Sequence, residues 1–514
     1  MSKNQIARCH TGMLLGVDAH PVSVEAEVGM GLPHFQIVGM GDRAVAESRH
    51  RVRAGIISAG FDFPSRRVTV NLAPAGLRKD GSAFDLPIAV SILAAAGEIA
   101  QKRLDRYLIA GELALDGKVR PIPGGLSLAA TARDLGIENV ILPAETAREA
   151  SVIDGVVVLA CRSLRDVAEH LRGTRPLPVA DGPLPEALRG DEPLDLAEVR
   201  GQDEARFALE VAAAGGHNLL LVGPPGTGKT MLARRLPSIL PDLGFEEALE
   251  TTRVWSAAGR LRGRPLLTRP PFCAPHHSVS DAGLIGATSP PMPGEASLAH
   301  RGVLFLDELP EFRRNAIECL REPLEDGEVR LRRAHLSINY PARFQLVATM
   351  NPCPCGRYSS ARPSLCTCEI DSVRRYRARI SGPLLDRIDM HVEVPPVPQE
   401  ALVGPPGESS VVVRERVVAA RERAARRLEG IAGFGPVLVN AAIPPGLVRD
   451  VCGASAKAQR YLAELVSGWE LSARSFDRLL RVARTIADLA DRDALEIEDV
   501  IRATGFRVLD QGIG

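Results

Sequence analysis

The sequence predicts an α/β protein built on a mostly parallel sheet with helices covering both faces. Three stretches predict it. HNLLLVG at 217–223 is a short apolar run that feeds a glycine-rich turn and then the helical run KTMLARRL. GVLFLDEL at 302–309 is a second apolar run and ends in two acids; RFQLVATMN at 343–351 is a third and ends in an amide. Short buried strands separated by helical stretches pair in parallel and have both faces covered. Such sheets place ligands at the carboxyl ends of their strands, so the chemistry is expected where these runs close.

Around this centre the chain divides into blocks. Its 514 residues are enough for roughly two to four domains. Residues 1–172 alternate strand-like runs (VSVEAEV at 22–28, RRVTVNL at 66–72, VVVLA at 156–160) with helix-like runs near 43–58, 84–98 and 124–134, which predicts a compact α/β or α+β domain. Residues 173–194 are rich in proline, glycine and charge, cannot build a core, and are expected to be a linker. The central sheet block covers 195–400. Residues 401–514 read as helical, with FDRLLRVARTIADLA at 476–490 carrying apolar positions at i, i+3, i+4 and i+7.

Composition excludes some classes. Apolar residues make up 45 % and charged residues 25 %, as in a globular chain and unlike a disordered one. No run of about eighteen apolar residues is present, so no membrane span is expected. The first fifteen residues have no apolar core followed by a small-residue cleavage site, so the expected location is the cytoplasm. The net charge of zero argues neither for nor against nucleic acid, because local basic surface decides that. Lysine is rare among the 63 basic residues, which makes Lys229 stand out.

GPPGTGKT at 223–230 fits the phosphate-binding loop at every defined position: Gly223, Pro224, Pro225, Gly226, Thr227, Gly228, Lys229 and Thr230. Glycines allow tight turns that aim N–H groups inward, and the following helix adds its positive end. Lys229 can reach the β- and γ-phosphates of ATP, and Thr230 offers a hydroxyl to Mg²⁺. Asp307 can hold the hydrated Mg²⁺, while Glu308 can polarise an attacking water. Asn351 can position that water from the other side. Taken alone, two acids can simply close a strand and an asparagine can simply form a turn; it is their order after the loop that points to chemistry.

Four of the nine cysteines fall within sixteen positions: Cys353, Cys355, Cys366 and Cys368. Four thiolates can hold Zn²⁺ tetrahedrally. The Cys-x-Cys spacing is tighter than usual for ligand pairs, so a reduced, metal-free loop is the alternative.

The central block resembles an AAA+ ATPase of the magnesium-chelatase type, and the whole chain resembles the ComM/YifB family of magnesium-chelatase-like proteins. The resemblance covers about 500 residues and rests on VRGQDEARFAL at 199–209, GPPGTGKT, RPPFCAPHHSVSDAGLIGA at 269–287, PGEASLAHRGVLFLDELPEF at 293–312, ATMNPCPCG at 348–356, SGPLLDRIDMHVEV at 381–394 and SARSFDRLLRVARTIADL at 472–489. It implies an AAA+ P-loop core with a helical lid and a hexameric ring with nucleotide between subunits. Arg387 in the LLDR run then resembles the finger inserted into a neighbour's γ-phosphate site, and Arg474 resembles the second sensor on the lid; both would stabilise charge on the transferring phosphoryl group. It also implies a hairpin within EDGEVRLRRAH at 325–335, with a turn legible at Asp326-Gly327 and with Arg330, Arg332 and Arg333 facing the ring channel, where they could track a phosphodiester backbone. A solvated charged hairpin is the plain alternative. His276 and His277 match paired histidines of the family, with DNA contact, loop packing or coupling to ATP all open as roles. The load implied is single-stranded or branched DNA during integration of transforming DNA, with a recombinase as a further expected partner. The alternative is remodelling of a protein partner.

Residues 1–172 resemble the proteolytic domain of Lon and the related domain of the recombination protein RadA, a ribosomal-S5-like α+β fold, through NLAPAGLRKDGSAFDLPIAVSILAA at 71–95 and GELALDGKVRPIPGGLSLAATARDLGIENVILP at 111–143. Where such enzymes carry the serine nucleophile this chain has Ala83, after Ser82, and the lysine-bearing stretch reads Gly124-Gly125-Leu126-Ser127. A serine without a base is a poor nucleophile. The domain is therefore expected to be structural or DNA-binding, and not proteolytic.

Overall fold

The structure is a computed structural model that describes residues 5–39, 43–75, 79, 81–180, 194–261, 264, 266–288, 291–333, 336–358, 366–431, 439–468 and 472–509.

The first domain is a seven-stranded mixed sheet. Its strands are β1 (Gln5–Leu15), β2 (Asp18–Gly29), β3 (His34–Val38), β4 (Arg67–Ala73), β5 (Tyr107–Ile109), β6 (Asn139–Pro143) and β7 (Val157–Cys161), in the order β3-β4-β2-β1-β5-β6-β7. β1, β2 and β4 pair antiparallel, whereas β5, β6 and β7 run parallel. The helices are α1 (Arg43–Ser58), α2 (Asp85–Ala95), α3 (Gly125–Asp134), α4 (Ala144–Ala150) and α5 (Leu164–Arg172). All of α2 is buried, as its run DLPIAVSILAA requires. Its one charged residue, Asp85, is held by Arg51 Nε at 2.6 Å and by the Leu113 N–H.

The linker expected over 173–194 starts later than its composition suggests. Ala160 N donates to Pro178 O and Ala180 N to Val158 O, so 178–180 lie along β7 as an extra edge, and Leu177 is buried in the core of this domain. Proline removes a ladder donor but does not keep a chain off a sheet edge. Residues 181–193 of the expected linker lie outside the described residues.

The second sheet carries β8 (Leu219–Val222), β9 (Phe272–Cys273), β10 (Val303–Leu306), β13 (Gln345–Met350) and β14 (Met390–Glu393), with a separate hairpin of β11 (Glu328–Arg333) and β12 (Leu336–Pro341) inserted before β13. The order is β9-β10-β13-β8-β14, and every pair is parallel. β13 thus separates the phosphate-loop strand β8 from the acidic strand β10. Helices α6 (Asp203–Gly215), α7 (Lys229–Ala233), α8 (Phe245–Ala257) and α9 (Arg321–Asp326) belong to this block. The C-terminal helices are α10 (Ser410–Leu428), α11 (Ala456–Gly468), α12 (Ala473–Leu489) and α13 (Ile497–Gly505). They share one core with the sheet: Val413, Val417, Leu479 and Ile486 pack in the same cluster as Leu209, Leu221 and Phe305. No helix among the described residues is long and apolar enough to cross a membrane.

The first domain is docked on the second through α3 and α8. Gly124 N donates to Ser256 O at 3.2 Å, and the Ser256 hydroxyl donates to the Glu149 carboxylate at 2.8 Å, which also accepts from Gly125 N at 2.8 Å. A side chain on Gly125 would strike Thr146 of α4, so glycine is what lets the start of α3 pack against α4 and reach Glu149. Burial pushes the Glu149 carboxyl up to about 7, against the lowering effect of those hydrogen bonds.

Candidate nucleotide site

Because the second sheet is parallel, its strands end on one edge, and that edge collects the loop at 223–230, Asp307, Glu308 and Asn351. Gly226 and Gly228 have φ of +80° and +89°, which lets the chain turn tightly into α7. Lys229 Nζ donates to Gly223 O at 2.7 Å and Pro224 O at 2.8 Å, and lies 3.4 Å from Asn351 Oδ1. Burial lowers the lysine pKa, and the charges of Asp307 and Glu308 act to restore it. Gln202 fastens the loop from behind by donating to Thr227 O at 3.2 Å and Pro395 O at 2.7 Å.

The hydroxyl of Thr230 donates to Asp307 Oδ2 at 2.9 Å. A hydroxyl and a carboxylate meeting at one point are the oxygen donors a hard divalent cation takes, so these two residues fit Mg²⁺. Thr349, buried on β13, was not singled out by sequence reasoning. Its hydroxyl donates to Asp307 Oδ1 at 2.6 Å and accepts from Glu308 N at 2.9 Å, so one side chain fixes both acids. Its signal was a hydroxyl inside an apolar strand, two residues before Asn351. Glu308 sits at φ +55°, a left-handed conformation that costs a non-glycine residue about 1–2 kcal/mol. That turn carries the acid out of the strand line and beyond Asp307.

Arg387 and Arg474 are elsewhere. They line a cleft of about 720 Å³ with Asn218, Gly302, Phe344 and Asp389, the residues immediately before β8, β10, β13 and β14. The arginines and the phosphate loop therefore occupy opposite edges of one sheet, separated by at least the length of four-residue β8, roughly 13 Å. Arg387 is ion-paired with Glu325, and Arg474 is exposed at the start of α12.

The hairpin exists, but its turn is not where the sequence suggested. Asp326 ends α9, and Gly327 (φ +71°) is that helix's left-handed C-cap. The strands pair from Glu328↔Pro341 to Arg333↔Leu336, so Asp326-Gly327 lies at the open end of the hairpin and not at its turn; residues 334–335 are outside the described ones. Val329 and Leu331 are buried, while Arg330 and Arg332 share the exposed face. The Arg333 side chain lies outside the described ones. Arg330 is ion-paired with Glu328 at 2.6 Å, Asp326 at 3.1 Å and Glu322 at 3.8 Å.

Cys353, Cys355, Cys366 and Cys368 converge, with all four sulfurs within 4.8 Å of one another. Cys353 Sγ lies 3.3 Å from Cys355 Sγ and 3.7 Å from Cys366 Sγ. Sulfurs bound at about 2.3 Å around a tetrahedral zinc stand about 3.8 Å apart, so the set fits Zn²⁺. Backbone N–H groups of Arg357 and Thr367 push the Cys355 thiol down to about 6, while burial pushes the Cys366 thiol up, so the fit to a metal rests on the convergence of the four sulfurs. The knuckle abuts the phosphate loop: a Cβ on Gly356 would lie 2.6 Å from Pro225.

The remaining candidates are packed against neighbours. His276 and His277 lie with ring centres 4.0 Å apart and planes tilted by 35°, and His277 meets Phe312 edge-on. In the first domain Ser82 donates to Glu112, buried Lys79 donates to Pro74 O, and buried Ser127 donates to Val17 O.

The family described as magnesium chelatase, subunit ChlI, matches residues 195–402; further matches to subunit ChlI of Mg-chelatase and to its C-terminal part cover 24–146 and 407–507. A protein named YifB from Escherichia coli (strain K12) is 42 % identical over 505 residues, 98 % of this chain and 97 % of its own length. The competence protein ComM of Haemophilus influenzae is 41 % identical over 500 residues, 96 % of each. The magnesium-chelatase 38 kDa subunit of Cereibacter sphaeroides is 28 % identical over 181 residues, covering 31 % of this chain and 53 % of that protein. With two relatives above two-fifths identity across nearly the whole length and all three magnesium-chelatase segments in order, this chain belongs to the ComM/YifB family of magnesium-chelatase-like proteins.

Proposed function

We propose that the chain is one subunit of a hexameric, ATP-hydrolysing ring that moves branched or three-stranded DNA. The observation that carries the ring is the split of the site. One edge of the sheet offers Lys229, Thr230, Asp307, Glu308 and Asn351; the opposite edge offers Arg387 and Arg474. A complete set needs a second copy, which brings its arginines to the first copy's loop.

In that composite site the loop amides and Lys229 bind the phosphates. Thr230 and Asp307 hold Mg²⁺, which supplies charge neutralisation when bound. Glu308 orients a water and accepts its proton, Asn351 steadies that water from β13, and the neighbour's Arg387 and Arg474 stabilise charge on the transferring phosphoryl group. Zn²⁺, held by the four cysteines, would brace the segment between Asn351 and Pro225. For the first domain, Ala83 at the nucleophile position and a run at 124–129 without lysine favour a role in docking or DNA contact over peptide chemistry.

The DNA load is supported by the likeness to a competence protein and by two arginines on one exposed face of the hairpin. A second reading, remodelling of a protein partner, is favoured by one observation: three acids already surround Arg330 and reduce its pull on a phosphate. Junction unwinding separates the two. The wild type should bind DNA in a salt-dependent, sequence-tolerant way and migrate a synthetic four-way junction. Glu308→Gln should bind ATP without turnover and without migration. Replacing Arg330, Arg332 and Arg333 with Ala should keep the ring and basal hydrolysis but lose DNA stimulation. A wild type that neither binds DNA nor gains ATPase rate from it transfers the case to the protein-remodelling reading.

A further inference from the structure

Among the described residues, Glu325 has a position that neither the nucleotide chemistry nor the DNA grip accounts for. It lies on α9, the six-residue helix that leads into the hairpin, and its carboxylate accepts a hydrogen bond from the terminal Nη2 of Arg387. The other terminal nitrogen, Nη1, donates to Pro383 O at 2.7 Å. Nε is buried and has no hydrogen-bond partner among the described residues. Two of the five guanidinium N–H groups are thus used inside its own subunit, one of them on a carboxylate, and the side chain is only 16 % exposed. A phosphate that takes the guanidinium as a bidentate partner competes with Glu325 for it.

The same helix holds the hairpin. Glu322, Glu325 and Asp326 stand at i, i+3 and i+4, one face of a helix. Two of them, Glu322 and Asp326, pair with Arg330 on β11. The third pairs with Arg387, and Arg474 and Arg321 add their charges to its surroundings. The hairpin is closed onto the helix end: Ala342 N donates to Gly327 O at 2.8 Å, and Gly327 has no room for a side chain beside Arg343. A pull on β11 therefore moves α9, and with it the partner of Arg387.

We infer that Glu325 restrains the trans-acting arginine, holding Arg387 back from the neighbouring subunit's phosphates, and that α9 ties this hold to the Arg330 hairpin. The proposal rests on the reading of Arg387 given above and adds a residue that acts through it. An anion engaging Arg330 competes with Glu322 and Asp326, shifts α9, and loosens the Glu325–Arg387 pair. Arg387 then exchanges a carboxylate for a phosphate, with no bond made or broken. Glu325 is a positioning residue and touches no nucleotide in this scheme, so its removal should change turnover and leave ATP binding alone.

The test is steady-state ATPase of assembled rings, with and without junction DNA. Glu325→Gln keeps shape and removes charge; losing a partly exposed ion pair should raise basal kcat by about three- to fivefold. The KM for ATP should not change, and the further gain on adding DNA should shrink by the same factor. Glu325→Asp should restore the wild-type basal rate. The Glu325→Gln, Arg387→Ala double variant should be as inactive as Arg387→Ala alone. Glu322→Gln with Asp326→Asn removes the pairs through which an anion at Arg330 would act on α9, so DNA stimulation should fall. A Glu325→Gln ring with the wild-type basal rate, or a lower one, overturns the restraint while the finger stands, provided Arg387→Ala is inactive. An Arg387→Ala ring that hydrolyses normally removes the finger reading and this proposal with it. Normal DNA stimulation in the Glu322, Asp326 double variant overturns the tie.

Discussion

Replacing Thr349 by valine tests how the acid pair is held. Valine has the same shape, so no cavity opens in β13, and the change is confined to one buried hydroxyl. Two hydrogen bonds go with it. The one to the charged Asp307 carboxylate is worth about 1.5–3 kcal/mol, and the one from Glu308 N–H about 1 kcal/mol, with that donor left unsatisfied. Asp307 keeps Thr230, so it is loosened but not released. If roughly half of the lost energy, about 1.3–2 kcal/mol, had served the reacting geometry, turnover falls about 8- to 30-fold, since 1.4 kcal/mol is a factor of ten. The Mg²⁺ concentration for half-maximal rate should rise, because one oxygen of Asp307 is no longer fixed. Binding of a fluorescent ATP analogue should stay within about threefold, because the loop and Lys229 are untouched. Thr349→Ser, which keeps the hydroxyl, should stay within about threefold of wild type in rate. The measurement is steady-state phosphate release at saturating ATP over a Mg²⁺ titration. A Thr349→Val protein with wild-type kcat and an unchanged Mg²⁺ midpoint refutes the argument that this hydroxyl sets the acids.

Zinc should co-purify at about one equivalent per chain, measured by elemental analysis of protein prepared without affinity metal, and should fall when Cys366 and Cys368 are both changed to Ser; a folded, metal-free wild type rules it out. Because Gly356 of the knuckle abuts Pro225, that double variant should also bind nucleotide more weakly, read by analogue fluorescence. Glu149 predicts a pH dependence of the docked state. Its folded pKa lies above the ordinary 4.5, so the native state binds the extra proton, and stability is highest below 4.5 and declines until about 7 by about 3 kcal/mol. Glu149→Gln accepts the same hydrogen bonds without charge, so its melting temperature should exceed that of wild type at pH 8 and the gap should close toward pH 5; a gap constant over that range counts against the buried carboxylate as the cause.

Much of the nucleotide edge was legible because several signals coincide there. An apolar run, a glycine turn and a helix in order leave little freedom, and Asp307 and Asn351 end runs of the same kind. The misreadings share a different cause: one local pattern serves two structures. Asp326-Gly327 is a hairpin-turn dipeptide, yet glycine is equally the residue of a left-handed helix cap, and α9 before it decided the matter. Residues 177–180 look like linker by composition, but a sheet edge accepts a proline-rich segment whose next donors are free. Thr349 was overlooked because threonine is an ordinary strand residue on β-propensity alone. Arg387 and Arg474 could not have been chosen by spacing in an arginine-rich chain. Their meaning depends on which end of the sheet each faces, Arg387 from just before β14 and Arg474 from the start of α12, and that is a property of the folded chain.

The same sheet argument bears on assembly. In a parallel sheet all strand ends fall on one edge and all strand starts on the other. A chain that keeps its phosphate loop on the first edge and its arginines on the second offers two unlike faces. A two-fold dimer would bring like faces together and complete no site. A head-to-tail contact pairs unlike faces, and repeating it closes a ring or runs on as a filament. On the proposed reading, each interface then contains one complete site, and each subunit is arginine donor to one neighbour and nucleotide holder to the other. The helix α9 lies on the donor side, next to the hairpin. Force felt at a hairpin would therefore be reported first to the neighbour's nucleotide, not to its own. That direction of coupling is what a ring needs if its subunits are to act in turn.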